Sequence, residues 1–184
     1  MARRPSESGG RELGTSFPAS SAWDKLGFLL WHATLEWQRQ VSAALKSLDL
    51  THVQFVLLAG TNWLEQRSGP PSQRELADHS GTDAMMTSQV VRALERAGLV
   101  RRLPDPDDAR VKRVSTTPQG ADLARRAVAL VEDVDRRVFG EVDDLDRLRI
   151  ALRSVAGRDE FGRPLAGTAD APGAGAERAG ATRT

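Results

Sequence analysis

The sequence predicts a mainly α-helical domain that carries one small β-hairpin. Three observations predict it. Between about 22 and 156, apolar residues recur at three- and four-residue spacing in stretch after stretch. Serine, threonine or aspartate opens most of those stretches, and glycine closes several of them. One segment alone, LVRRLPDPDDARVKRVST, breaks the helical period, with two short β-branched or basic runs around a turn of prolines and aspartates.

Composition bounds what such a domain can be. At 184 residues, 40% hydrophobic and 28% charged, the chain can bury one proper core, so a single domain is expected. The chain has no cysteine, which excludes disulfides, thiolate zinc sites and thiol-based redox sensing. No apolar stretch approaches the roughly 20 residues that span a bilayer, and the start, MARRPSESGGRELG, lacks the apolar segment of a secretion signal. A cytoplasmic protein with no membrane association is the expectation. Residues 1–20 and 157–184 are rich in small residues, proline and arginine, so they are read as a flexible N-terminal tail and a disordered C-terminal tail around a domain at 22–156.

The first helical stretch, from Trp23 to Leu48, places Leu26, Leu29, Leu30, Ala33, Trp37, Val41, Ala44, Leu45 and Leu48 at helical spacing. Phe28, Trp31 and Leu35 widen that stripe, which predicts a long helix with more than one buried face. Thr51 and Gln54 have the spacing of a capping box and start a second helix over 52–66. RSGPP breaks the chain, Ser72 and Glu75 cap a short third helix, and Gly81 ends it. Asp83 caps a fourth, with Val90, Val91 and Leu94 on one face and Gly98 as its stop. Two helices joined by a short glycine-containing turn make a helix-turn-helix. The hairpin follows, with a tip too polar for a core. Thr117 and Pro118 then open a long helix that carries Leu123, Ala127, Leu130, Val131, Val134 and Val138. A final helix lines up Leu145, Leu148, Leu152 and Val155.

Catalysis and metal binding find no support in this pattern. His32, His52 and His79 stand on separate elements without metal-ligand spacing, so no metal and no cofactor are expected. Serines and histidines read as caps or surface residues, and no motif joins a nucleophile to a base, so no enzyme is expected. Net charge is only +1, and a nucleic-acid role must rest on where the charges sit. Residues 84–114 hold seven basic side chains against four acidic ones, a local excess of three that is larger than that of the whole chain. Alone, such a cluster reads as a solvated face.

The run ELADHSGTDAMMTSQVVRALERAGLVRRLPDPDDARVKRVSTTPQG, with LTHVQFVLLA before it, resembles the winged helix-turn-helix of the MarR (multiple antibiotic resistance regulator) family. The resemblance rests on ELA at 75–77, LERAGLV at 94–100, Asp108 and Arg110 of the wing, and Thr117 and Gly120 at the next helix start. It implies a mainly α fold with a small β-wing, in which 50–117 forms the winged helix-turn-helix and long terminal helices, 22–48 and 118–156, serve dimerisation. It also implies a homodimeric transcriptional regulator, more often a repressor, that binds a double-stranded, pseudo-palindromic DNA operator.

Helical geometry and this resemblance together nominate contacts. Opposite Val90, Val91 and Leu94 stand Ala84, Met85, Ser88, Gln89 and Arg92, the face that would enter a major groove. Gln89 suits adenine, Arg92 a phosphate or guanine, and Ala84 or Met85 a thymine methyl. The family commonly has arginine where Gln89 stands, so base preference does not carry over. Met85 and Met86 also have a plain packing reading, with Met86 the better candidate of the two for burial. Thr87 replaces a usually apolar residue and would loosen packing beneath the helix. Gln73 and Arg74 are candidates for backbone contacts, and Lys112 joins the basic set of the wing. Arg110 suits a narrow minor groove, with Asp108 holding it or the turn through a charge-assisted hydrogen bond.

For pairing, Phe28, Leu35, Leu145, Leu148 and Leu152 exceed what a small winged domain needs to cover itself. Relatives often bind a small aromatic or anionic effector beside the dimer helices; Trp31, His32, Trp63 and Arg67 are the candidate lining. All four tryptophans also suit core or dimer contacts. Two other readings stay open: a sequence-tolerant architectural DNA binder, and a winged-helix module that binds a protein instead.

Overall fold

A computed structural model of the protein describes residues 22–108, 110–159 and 162. The chain forms an N-terminal unit that ends at Glu36 and a larger unit that begins at Trp37. The N-terminal unit holds a 3-10 turn, Ala22–Asp24, and the start of α1 (Leu26–Leu45). Its rings cluster: Phe28 meets Trp23 edge-on at 5.0 Å, and His32 lies 4.4 Å from Phe28 and 4.7 Å from Trp23. In α1 only Val41 and Leu45 are buried, while Leu26, Leu29, Leu30 and Trp31 are exposed, so the expected several buried faces are not found among the described residues. The stripe is there, but Leu26, Leu29, Leu30 and Trp31 of its first half are exposed among the described residues.

The larger unit is built around α2 (His52–Ser68). Thr51 and Gln54 close the predicted capping box at its start. Ser72 and Glu75 form the second box, opening α3 (Gln73–Ser80), and Gly81 ends that helix in the left-handed region at φ 66°. Asp83 accepts from the Met86 amide and opens α4 (Ala84–Arg96). After it, β1 (Val100–Pro104) pairs antiparallel with β2 (Lys112–Thr116), with Val100 opposite Thr116 and Pro104 opposite Lys112. Then come α5 (Pro118–Phe139), capped by Thr117, and α6 (Leu145–Ala156), capped by Asp144. The fold is thus mainly helical with one two-stranded sheet, as the sequence predicts.

The core draws one stripe from each of α2, α3, α4, the hairpin and α5. Leu57 and Leu58 of α2, Leu76 of α3, Val91 and Leu94 of α4, Val114 of β2 and Val134 of α5 are at most 1% exposed. Burial of this kind contributes roughly 1.5–3 kcal/mol per large aliphatic side chain. The entry to α5 is tight. Thr117 donates to the Gly98 carbonyl at 2.7 Å and accepts from the Gly120 amide at 3.0 Å. A Cβ at Gly120 would overlap the Leu99 carbonyl, so the spacing from Thr117 to Gly120 has a steric cause.

Several side chains differ from expectation. Thr87 is fully buried yet satisfied, its hydroxyl paired with the Asp83 carbonyl at 2.8 Å and the Thr82 hydroxyl at 2.7 Å, so it ties the turn to the helix rather than loosening it. Met86 is 42% exposed and Met85 71%, because Thr87, Val91 and Leu94 occupy the inward stripe. The wing tip is not wholly outside the core either: Asp105 is only 8% exposed, held by Arg113 and two backbone amides. Nor are serines and histidines only caps or surface residues. Ser115 is 1% exposed, and the Ser80 hydroxyl and His52 Nε2 are buried without a hydrogen-bond partner among the described residues.

No residue of α6 is buried, and a cavity of about 340 Å³ lies between its apolar stripe and the end of α5, at Phe139, Leu145, Leu148 and Leu152. The described chain continues past α6, where the Arg158 guanidinium donates to the carbonyls of Asp78 at 2.7 Å and Gly162 at 2.9 Å. The rest of the segments read from sequence as tails, 1–20 and beyond 159, lie outside the described residues apart from Gly162.

Candidate nucleic-acid interface

Four elements of the larger unit build the candidate surface. α3 packs on α4 and β2, and α4 packs on β1, so the helix-turn-helix and the hairpin form one packed body. On α4, Ala84, Met85, Gln89 and Arg92 are exposed and Ser88 is half-buried. Arg92 donates from Nε to the Ser88 carbonyl at 3.1 Å, which leaves the rest of its guanidinium fork facing outward. Gln73 and Arg74 occupy the first two positions of α3, half-buried and exposed respectively. The free amides of both helix starts are already used in part by Ser72 and Asp83.

The wing presents Arg110 at its tip, with 91% of the side chain exposed. Asp108 accepts from the Arg110 amide at 3.0 Å and from its Nε at 3.2 Å, so the carboxylate orients the arginine and the turn together. Lys112, the first residue of β2, is exposed. Other cations of the basic cluster are engaged within the protein. Arg102 pairs with Glu95 at 2.6 Å, and Arg113 bonds Asp105 and the Pro70 carbonyl. Each of these pairs removes one cation and one anion, so the local excess of three stands while fewer of the seven cations are free to meet a polyanion.

Sequence reasoning missed the residues that hold the wing. Glu65, near the end of α2, accepts from the Ser115 hydroxyl at 2.6 Å, the Thr116 amide at 2.9 Å and the Thr116 hydroxyl at 2.7 Å. Burial alone would raise its carboxyl, but those hydrogen bonds, with the Arg101 charge, leave it below the usual carboxylate range. Asp105 is also held low, first by the Asp107 amide, then by the Arg113 guanidinium and the Asp108 amide. A signal for Asp105 was present, since an aspartate between two prolines in a turn is placed to bond amides two and three residues on. Glu65 carries no such signal, because its partners lie about fifty positions away along the chain.

Of the candidate effector residues, Trp31 and His32 belong to the N-terminal unit, with Trp31 61% exposed and His32 in the ring cluster described above. Trp63 and Arg67 lie on α2, the guanidinium 4.5 Å from the indole ring. Trp63 also stacks on His79 at 4.9 Å and lines a cavity of about 350 Å³ with His79 and with Phe55, Gly60 and Ser80, three residues the sequence did not single out. Burial lowers the His79 pKa, and the Arg158 charge lowers it further. Among the described residues no group of three or more histidines and carboxylates is placed to hold a metal ion, and no single helix is long and apolar enough to cross a membrane. Of the pairing candidates, Phe28, Leu35 and Leu148 are half-buried, and Leu145 and Leu152 are exposed.

Comparison with known proteins identifies the class. The MarR family profile matches residues 50–112, from the residue before the α2 cap to the start of β2. The chain is 43% identical over 113 residues to an uncharacterized HTH-type transcriptional regulator, YdcH, of Bacillus subtilis, covering 61% of this chain and 77% of that one. It is 37% identical over 117 residues to the HTH-type transcriptional repressor Rv2887 of Mycobacterium tuberculosis, covering 64% of this chain and 81% of the repressor. Among solved structures, CouR from Rhodococcus jostii bound to p-coumaroyl-CoA aligns with a TM-score of 0.65 at 26% identity, over 74% of this chain and 96% of CouR. With the capped helix-turn-helix, the anchored wing and relatives matched over most of their length, the chain belongs to the MarR family of transcriptional regulators.

Proposed function

We propose that the protein is a sequence-specific regulator, a ligand-responsive repressor that binds a pseudo-palindromic operator as a homodimer. The observation that carries this reading is the pairing of a capped helix, which exposes Ala84, Met85, Gln89 and Arg92, with a wing that extends Arg110. α4 reads base edges in the major groove, Gln73, Arg74 and Lys112 meet the backbone, and Arg110 enters the minor groove. Residues 50–117 form the reading lobe, while 22–48 and 118–156 join two copies. The exposed apolar side chains of α6 and of the N-terminal unit support the second half of that division, because monomeric proteins rarely leave such stripes to water. Phe28, Leu35, Leu145, Leu148 and Leu152 are the pairing residues. An aromatic or anionic effector acts by favouring one spacing of the two α4 helices. The cavity beside Trp63, and a relative crystallised with p-coumaroyl-CoA, support that part.

Fluorescence anisotropy with a duplex from upstream of the gene, beside a scrambled duplex, tests the reading. The upstream duplex is expected to bind at least about a thousandfold tighter at physiological salt. Equal affinity with steep salt dependence supports an architectural binder, and binding to neither supports a protein-interaction module.

A further inference from the structure

We propose that Arg113 is a positioning residue for the wing, which meets no DNA itself and sets, through Asp105 and Asp108, the arginine that does. The proposal rests on the reading of Arg110 as a groove contact. A continuous run of bonds leads from the scaffold to that arginine. At the connection between α2 and α3, the Pro70 carbonyl accepts from Arg113 Nη1 at 3.0 Å, and the Glu75 carboxylate lies 3.6 Å from the same nitrogen. The neighbouring backbone is fastened there too, since the Val114 amide donates to the Pro71 carbonyl at 2.7 Å and Arg113 bridges to Ser72. From this fixed point, Arg113 Nε reaches Asp105 Oδ2. The other oxygen of Asp105 accepts from the Asp107 amide at 2.8 Å and the Asp108 amide at 3.1 Å. Those bonds set the turn in which the Asp108 carboxylate holds Arg110.

The chemistry of the parts favours this division of labour. An arginine offers donors in a rigid fork and can bond a carbonyl and a carboxylate at once, which a lysine would do with less definition. Arg113 is 32% exposed with its fork turned toward Pro70 and Asp105, whereas Arg110 is 91% exposed. The Asp108–Arg110 pair lies in water and is too weak to hold a turn alone. Asp105, with a side chain only 6% exposed, is the better anchor, and a carboxylate so covered depends on keeping its cation.

The test combines Arg113→Gln with Arg110→Ala in a double-mutant cycle, read as DNA affinity and its salt dependence, with hydrogen exchange of the wing amides in the free protein. Asp105→Asn serves as a second variant that loosens the same clamp from its other side, and circular dichroism checks that each variant folds. Arg113→Gln is expected to weaken DNA binding about tenfold in the wild-type background but no more than about twofold in Arg110→Ala, where it leaves the salt slope unchanged. The Asp107 and Asp108 amides are expected to exchange at least about tenfold faster in Arg113→Gln and in Asp105→Asn. Additive losses, with the salt slope falling by about one more unit in the Arg110→Ala background, would make Arg113 a direct phosphate contact and overturn the proposal. Unchanged exchange at Asp107 and Asp108 overturns it as well. Should the wild-type chain bind no DNA, the functional reading fails, and exchange alone decides whether the clamp exists.

Discussion

The reading lobe and the terminal helices treat their apolar side chains in opposite ways. From α2 to the start of α5, the inward stripe of each element is covered, and the polar groups between elements are tied by Glu65, Thr87, Thr117 and Arg113. In α6 every side chain is at least partly exposed, and in the N-terminal unit Leu26 and Trp31 are 85% and 61% exposed. The lobe is complete in one chain. The terminal helices carry apolar surface that is left exposed among the described residues, which is the physical basis for proposing them as pairing elements.

Changes in the lobe should break the fold, and changes in the helices should break assembly. The largest effect is expected from Gly120→Ala, whose methyl would drive α5 off the Leu99 carbonyl. A loss of roughly 3 kcal/mol is predicted, visible as a lower midpoint in thermal or urea unfolding. Leu148→Asp combined with Leu152→Asp should leave helicity intact, because neither residue is buried in the protomer. The same pair should convert a dimer to a monomer in sedimentation velocity and weaken operator binding by about a hundredfold, through loss of the second contact. Arg110→Ala touches neither core nor pairing surface; about a tenfold loss of DNA affinity is predicted, with unfolding unchanged.

How far the sequence alone reaches follows the same divide. Caps at Thr51, Ser72, Asp83 and Thr117 are local events, and each stands where residue type and spacing place it. The exposed face of α4 follows from one helical period, so Ala84, Met85, Gln89 and Arg92 were readable at once. The packing reading misjudged Met86, which is 42% exposed, because a methionine's apolar character says nothing of how wide the buried stripe of its helix will be. Helical period overestimated α1, whose apolar stripe shows that something is to be covered but not whether the same chain covers it. The clamps formed by Glu65 and Arg113 join residues about fifty and about forty positions apart, a separation at which no local pattern operates. The cavity at Gly60, His79 and Ser80 likewise arises from helices meeting rather than from any motif.

Acid separates the parts of the lobe by their titrating groups. The pKa values of His52 and His79 are lowered, His52 by burial and His79 by burial and then Arg158. The folded state therefore favours the neutral rings; the stability this adds is complete above about pH 6.5 and is lost as pH falls through the lowered native values. Glu65 is lowered in the carboxylate sense, so its contribution is complete above about pH 4.3 and disappears only at more acid pH. Hydrogen exchange across a pH series should show the segments around His52 and His79 loosening first and the β2 end, at Thr116, later. The smallest effect is expected from Glu95→Gln, which removes the exposed pair with Arg102 and should cost less than about 1 kcal/mol.

The account stands or falls on whether two such lobes, joined by their terminal helices, read one stretch of DNA. Footprinting of the upstream DNA with the intact protein tests this most directly. Two protected major-groove patches of matching sequence, related by a twofold axis and about one helical turn apart or a multiple of it, are predicted. A single unpaired patch, or uniform protection that follows no sequence, would contradict it.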